Sequence, residues 1–130
     1  MKLKKYEGNP ILSPCPERGW ESLITCNPGV IYSDGKFIML YRAAGNDEQH
    51  VIRFGLAESA DGFHFERMSD KPVFSPSDSG PDSGCVEDPR IIKLDDEFYV
   101  TYAYRAVSPG RYWTFPHDVV ITPRCGPDAP

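Results

Sequence analysis

The sequence matches itself at a displacement of 61 residues. That displacement lays Pro28 on Pro89, Ile31 on Ile92, Asp34 on Asp95, Phe37 on Phe98 and Tyr41 on Tyr102, with Val30 over Ile91 and Met39 over Val100. The matched stretches read as β-hairpins. In the first, residues 29–42 fold back at Asp34-Gly35, a dipeptide that tolerates the positive φ of a tight hairpin turn. In the second, residues 90–102 fold back at Asp95-Asp96. Residues 53–59 and 63–67 flank Asp61-Gly62 as a further turn of the same kind. No window repeats apolar residues at i, i+3, i+4 and i+7 for three turns, so helices are not expected. Each unit offers about four strand-length segments, and a period of this length in an all-β chain points to the blades of a β-propeller. A chance likeness between two hairpins is the competing reading.

Two blades do not close a ring. Propellers have at least four, and an open pair leaves faces and edge strands uncovered. The expectation is therefore a partial propeller domain over residues 1–130, with blade 1 at about 20–75 and an incomplete blade 2 at about 80–130. Such a chain reads as the amino-terminal part of a longer protein, and the loop-like residues 123–130 agree with truncation. The 13 prolines and 11 glycines suggest many short strands and tight turns, the loop at residues 71–84 is rich in Pro, Ser and Gly, and the stretch from Ser108 onward carries no clear element signal.

Charge and cysteine usage narrow the partners. With 14 basic against 19 acidic residues the net charge is −5, which offers no footprint for a nucleic-acid backbone or an anionic membrane surface. No apolar run approaches the roughly 18 residues that span a bilayer, and the basic start of the chain is followed by no apolar stretch. A soluble, unexported, cytoplasmic protein is expected. Cys15, Cys26, Cys85 and Cys125 form no C-x-x-C pair and are expected to be four free thiols in a reducing compartment.

In a propeller the innermost strand of each blade lines the central channel, so polar residues where those strands begin converge on one axial pocket. The 61-residue displacement lays Asn27 over Asp88, each directly before a proline expected to open an inner strand and to fix the preceding backbone as extended. Either the two side chains share a pocket, or each begins a turn by bonding its own backbone. Glu87 and Arg90 flank this position and are expected to brace loops through salt bridges. Asn46-Asp47 reads as a solvated turn, and His50, His64 and His117 have no mutual metal-ligand spacing.

Several runs together resemble glycoside hydrolase family 130. They are Gly84-Cys-Val-Glu-Asp-Pro-Arg-Ile-Ile92, Asn27-Pro-Gly29, Met39-Leu-Tyr-Arg-Ala43 and Gly55-Leu-Ala-Glu-Ser-Ala-Asp-Gly62, and the resemblance covers about residues 8–106. It implies a five-bladed propeller that phosphorolyses or hydrolyses β-mannosides with inversion, of which about the first two blades are present. By the same resemblance Asp88 is the general acid, protonating the glycosidic oxygen through the 3-hydroxyl of the mannosyl unit. Arg42 matches an arginine that contacts the sugar in the −1 subsite, and Asn27 lines the same subsite. Tyr104, Arg105, Tyr112 and Trp113 read either as a platform for the acceptor sugar or as packing aromatics and their neighbours. The implied partner is a β-mannosyl oligosaccharide; no cofactor or metal is expected, inorganic phosphate is the co-substrate of a phosphorylase, and a homo-oligomer is left open. Phosphate is already an anionic nucleophile, so a phosphorylase dispenses with the second carboxylate that an inverting hydrolase uses to activate water. The implied phosphate-binding arginines and lysine lie in later blades. A carbohydrate-binding propeller without turnover, and a fragment inert by itself, are the alternatives.

Overall fold

A computed structural model describes residues 2–111 and is all-β apart from two short 3-10 turns. Strands β1 (Ile24–Ser33), β2 (Lys36–Ala44), β3 (Arg53–Ser59) and β4 (Glu66–Arg67) form one antiparallel sheet in that spatial order. Strands β5 (Cys85–Leu94) and β6 (Glu97–Arg105) form a second, two-stranded antiparallel sheet. The first repeat unit is therefore a four-stranded sheet, and the second shows two strands among the described residues. The rest of the expected second blade, with Tyr112, Trp113, His117 and Cys125, lies outside them.

The two hairpins repeat each other in detail. Asp34 and Asp95 adopt φ of 52° and 54°, and Gly35 adopts 83°, the left-handed geometry of a tight hairpin turn. The turn expected at Asp61-Gly62 is different. Asp61 Oδ1 accepts from the amides of Phe63 and His64, both at 2.8 Å, and from the Ser59 hydroxyl at 3.0 Å. Those bonds hold residues 63–65 away from β3, so the returning strand is only Glu66–Arg67 rather than residues 63–67. A second departure is the 3-10 turn Pro109–Arg111, where no element was expected; Gly110 N donates to Gln49 O there at 2.9 Å.

Alternation on β2 places Met39, Tyr41 and Ala43 on one face, packed with Ala57 of β3 and with Ile11, Leu12, Trp20 and Phe65. Beneath them Glu21 is fully buried. Its carboxylate accepts from Tyr41 Oη and Arg67 Nε, both at 2.9 Å, and from Arg18 Nη1 at 3.2 Å, tying the approach to β1 onto β2 and β4. A smaller cluster of Ala44, Ile52 and Cys85, with Ile24, joins the first sheet to β5. The sheets meet most closely where β1 passes β5: a Cβ on Gly29 would lie 2.6 Å from the Pro89 carbonyl oxygen, so this crossing requires glycine. Farther along, Lys93 Nζ of β5 reaches Ser33 Oγ and Asp34 Oδ2, both at 3.1 Å.

Candidate active site

The site is built on two equivalent bulges. Cys26 of β1 pairs with Arg42, and the next β1 pair is Gly29 with Leu40, so Asn27 and Pro28 together oppose Tyr41. On β5, Glu87 pairs with Ala103 and Arg90 with Thr101, so Asp88 and Pro89 together oppose Tyr102. The prolines thus lie within the strands rather than at their starts, at bulges where no ladder donor is required. The backbone before each proline is left-handed rather than extended, with φ of 44° at Asn27 and 53° at Asp88. Asn and Asp are the side chains that best tolerate this region, and the bulge supplies the constraint that overrides the usual preference before proline.

This geometry turns the two side chains toward each other. Asn27 Nδ2 donates to Asp88 Oδ1 at 2.8 Å, across 61 residues of sequence. Arg42 Nη1 donates to the same oxygen at 3.0 Å and lies 3.0 Å from Glu87 Oε2. The other Glu87 oxygen, Oε1, meets Arg105 Nε at 2.9 Å and the Cys85 thiol at 3.3 Å. Among these groups Asp88 is the accessible carboxyl, with 36% of its side chain exposed against 9% for Glu87. Arg90 turns back to the carbonyls of Asp88 and Pro89, at 3.1 and 3.0 Å.

The electrostatics follow from those contacts. The Asn27 amide, then the Arg42 guanidinium and the Arg90 charge, hold the Asp88 carboxyl below the usual carboxylate range against a partial burial that works the other way. Burial and the neighbouring Glu87 push the Cys85 thiol up to about 12, so it stays protonated and donates. In the free protein Asp88 is a carboxylate, whereas a general acid must carry a proton at the working pH.

The structure brings Asn27, Arg42 and Asp88 together directly, and Arg105 through Glu87. It does not bring Tyr104 to the group. Tyr104 pairs with Val86, on the face of β5–β6 opposite the one that carries Cys85, Glu87 and Arg105. Asn46-Asp47 is a turn in which Asp47 Oδ1 accepts from the amides of Gln49 and His50, both at 2.9 Å. Sequence reasoning missed Cys85 as a partner of Glu87; its place two residues earlier on the same strand face was the available signal. Cys15 and Cys85 are free thiols.

Comparison with known proteins gives this geometry a family. A family model described as beta-1,4-mannooligosaccharide phosphorylase, that of glycoside hydrolase family 130, matches residues 2–126. The chain is 38% identical to a beta-1,2-mannobiose phosphorylase of Thermoanaerobacter sp. (strain X514), over 78% of this chain and 37% of that protein. It is 36% identical to a 1,2-beta-oligomannan phosphorylase of the same organism, over 78% of this chain and 36% of that protein. A solved structure, described as a member of the GH130 mannoside phosphorylases among which glycoside hydrolases target beta-1,2 mannosidic linkages in Candida mannan, is also similar. It matches with a TM-score of 0.67 at 30% identity, over 78% of this chain and 33% of that one. The chain spans about a third of the length of these relatives. A family match that takes in both bulges and nearly every residue between the termini makes the chain a member of glycoside hydrolase family 130.

Proposed function

We propose that the protein acts on β-mannosides by inverting phosphorolysis and that residues 20–111 form the first blade and part of the second in a five-bladed propeller. The acid side of the site lies on these blades, in a cytoplasmic protein that uses inorganic phosphate as co-substrate and no cofactor. The observation that carries this reading is the convergence of Asn27, Arg42 and Asp88 at two duplicated bulges, with an accessible carboxyl at the centre.

Asp88 donates a proton toward the departing glycosidic oxygen, by way of a mannosyl hydroxyl, while phosphate attacks the anomeric carbon from the opposite face. The C–O bond to the leaving sugar breaks, a C–O bond to phosphate forms, and inversion yields the α-linked mannosyl phosphate. Asn27 and Arg42 are hydrogen-bond donors to sugar hydroxyls as well as to Asp88, so substrate competes for the bonds that now stabilise the carboxylate. As substrate takes them over and phosphate brings negative charge close, Asp88 gains the proton it needs.

Turnover of β-1,2- and β-1,4-linked mannobiose by the full-length protein, with and without inorganic phosphate, tests the reading. Mannosyl phosphate formed only with phosphate, and lost in Asp88→Asn, is the expected result. Free mannose formed equally without phosphate replaces phosphorolysis by hydrolysis. A second reading, sugar binding without turnover, is favoured by the lowered pKa of Asp88 in the free protein; mannobiose bound in a calorimetric titration with no product in either condition would establish it.

A further inference from the structure

A regular strand sends consecutive side chains to opposite faces, so Glu87 and Asp88 would not ordinarily share a partner. Here they do: Arg42 Nη1 lies 3.0 Å from Glu87 Oε2 and 3.0 Å from Asp88 Oδ1. The left-handed backbone at Asp88 makes this geometry, because the bulge returns the second carboxyl to the side of the first. Glu87 itself is buried and engaged at both oxygens, by Arg42 on one and by Arg105 and the Cys85 thiol on the other. It has neither the exposure nor a spare oxygen to activate water, which excludes it as the second carboxylate of an inverting pair.

We propose that Glu87 is a positioning residue that shares the Arg42 guanidinium with Asp88 and, with Arg105 anchoring its far oxygen, sets how much positive charge Asp88 meets. The relay runs from β6 through β5 to β2: Arg105, Glu87, Arg42, Asp88. It rests on the reading of Asp88 as the acid of the site. Charge is balanced within it, two guanidinium groups against two carboxylates. The remaining groups near Asp88 are Asn27 of β1, which is neutral, and Arg90 of its own strand, which is turned to backbone carbonyls. Arg53, the first residue of β3, donates to the Val51 carbonyl at 3.1 Å, and the protonated Cys85 thiol contributes no charge.

The relay predicts shifts of opposite sign. In Glu87→Gln a like charge beside Asp88 is lost while both arginines remain, so the Asp88 carboxyl titrates lower, by about one pH unit. In Arg105→Gln the carboxylate of Glu87 loses its second partner and draws Arg42 toward itself, so Asp88 titrates higher, by about half a unit. Glu87→Asp keeps the charge on a shorter arm and returns part of the first shift. The measurement is a carboxyl carbon NMR titration of the protein labelled at aspartate, with the Asp88 signal assigned by its loss in Asp88→Asn. A Glu87 that acts on Asp88 through its charge alone would return the whole of the first shift in Glu87→Asp, whereas a Glu87 that places Arg42 returns only part of it. Arg105 is half exposed and outside both buried clusters, so Arg105→Gln carries the test if Glu87→Gln does not fold. An Asp88 titration unmoved in folded variants, or moved in the same direction by both, overturns the relay. Mannoside turnover with phosphate is measured separately: opposite shifts without turnover leave the relay and remove the acid role, while turnover without shifts removes the relay alone.

Discussion

Replacing Gly29 by alanine separates the two sheets at the point where the site is assembled. The added Cβ would stand 2.6 Å from the Pro89 carbonyl oxygen, with the Pro89 carbonyl carbon at 3.2 Å and Arg90 Cα at 3.3 Å. All three are backbone atoms, so no side chain can swing aside. An ordinary carbon to carbonyl-oxygen contact is about 3.3 Å, so β1 and β5 must part by about 0.7 Å. Asn27 donates to Asp88 across this crossing at 2.8 Å, and the same displacement takes that bond to about 3.5 Å, where it no longer counts as one. Overpacking of this kind costs about 1–3 kcal/mol, and loss of a hydrogen bond to a charged but partly solvated group falls in the same range, so about 2 kcal/mol is expected. For a chain of this size that lowers Tm by about 10 °C. Circular dichroism melting reads the first consequence, and NMR titration reads the second, a rise of the Asp88 midpoint toward the ordinary carboxylate range. Gly19→Ala, where a Cβ meets nothing within 4 Å, is the control and stays within about 0.5 kcal/mol of the parent. An unchanged Tm together with an unchanged Asp88 titration in Gly29→Ala would refute the claim that this crossing sets the site.

Glu21→Ala removes a fully buried carboxylate that joins Arg18, Tyr41 and Arg67; a loss of about 3 kcal/mol is expected in urea unfolding followed by Trp20 fluorescence, and a loss under about 1 kcal/mol would mean the arginines are solvated without it. Asn27→Ala deletes the largest influence lowering the Asp88 pKa, so the Asp88 midpoint rises, as carboxyl carbon shifts will report. Asp34, Asp61 and Asp88 all have folded-state pKa values below their unfolded values, Asp34 through Ser33 and Lys93 and Asp61 through His64 and neighbouring amides. Carboxylates depressed in this way contribute stability above about pH 4 that is lost as pH falls through the folded values, so urea midpoints measured from pH 6 to pH 2 fall below pH 4, and fall less in Asp88→Asn.

The hairpins were legible because a two-residue period and an aspartate turn are local signals, written once around Asp34 and again around Asp95. The equivalence of residues 27 and 88 was legible for a different reason, the 61-residue displacement, but that displacement left open whether the side chains meet or each begins a turn, and the bond between them decides for the first. Their left-handed backbone was not, since the residue before proline ordinarily avoids that region and only the bulge imposes it. The bulges also decide which side chains meet. Counting back from the turn at residues 95–96, an unbroken ladder would set Arg105 opposite Val86; the bulge moves it opposite Cys85, onto the face of Glu87. In the first hairpin the same one-residue slip moves Arg42 from opposite Asn27 to opposite Cys26. No propensity argument fixes such a slip in advance, and with it went the partner of Arg105. Glu21 was equally hidden, for an acid in a short loop carries no periodic mark of burial.

The bond from Lys93 to the Asp34 turn has a mechanical meaning once Gly29 and Pro89 are seen as a pivot. The two ribbons meet at this crossing and at the Ala44, Ile52 and Cys85 cluster, and the tie at their turn ends holds them against scissoring. Phe74 of the connecting stretch adds a further tie, stacked on Phe54 of β3 at 5.6 Å and edge-on to Tyr102 of β6 at 5.1 Å, which leaves residues 75–81 without a duty to aim the ribbons. Lengthening or rewriting residues 75–81 would leave the bond between residues 27 and 88 untouched, which makes that loop the place where a cousin of this protein could vary at no expense to the pairing.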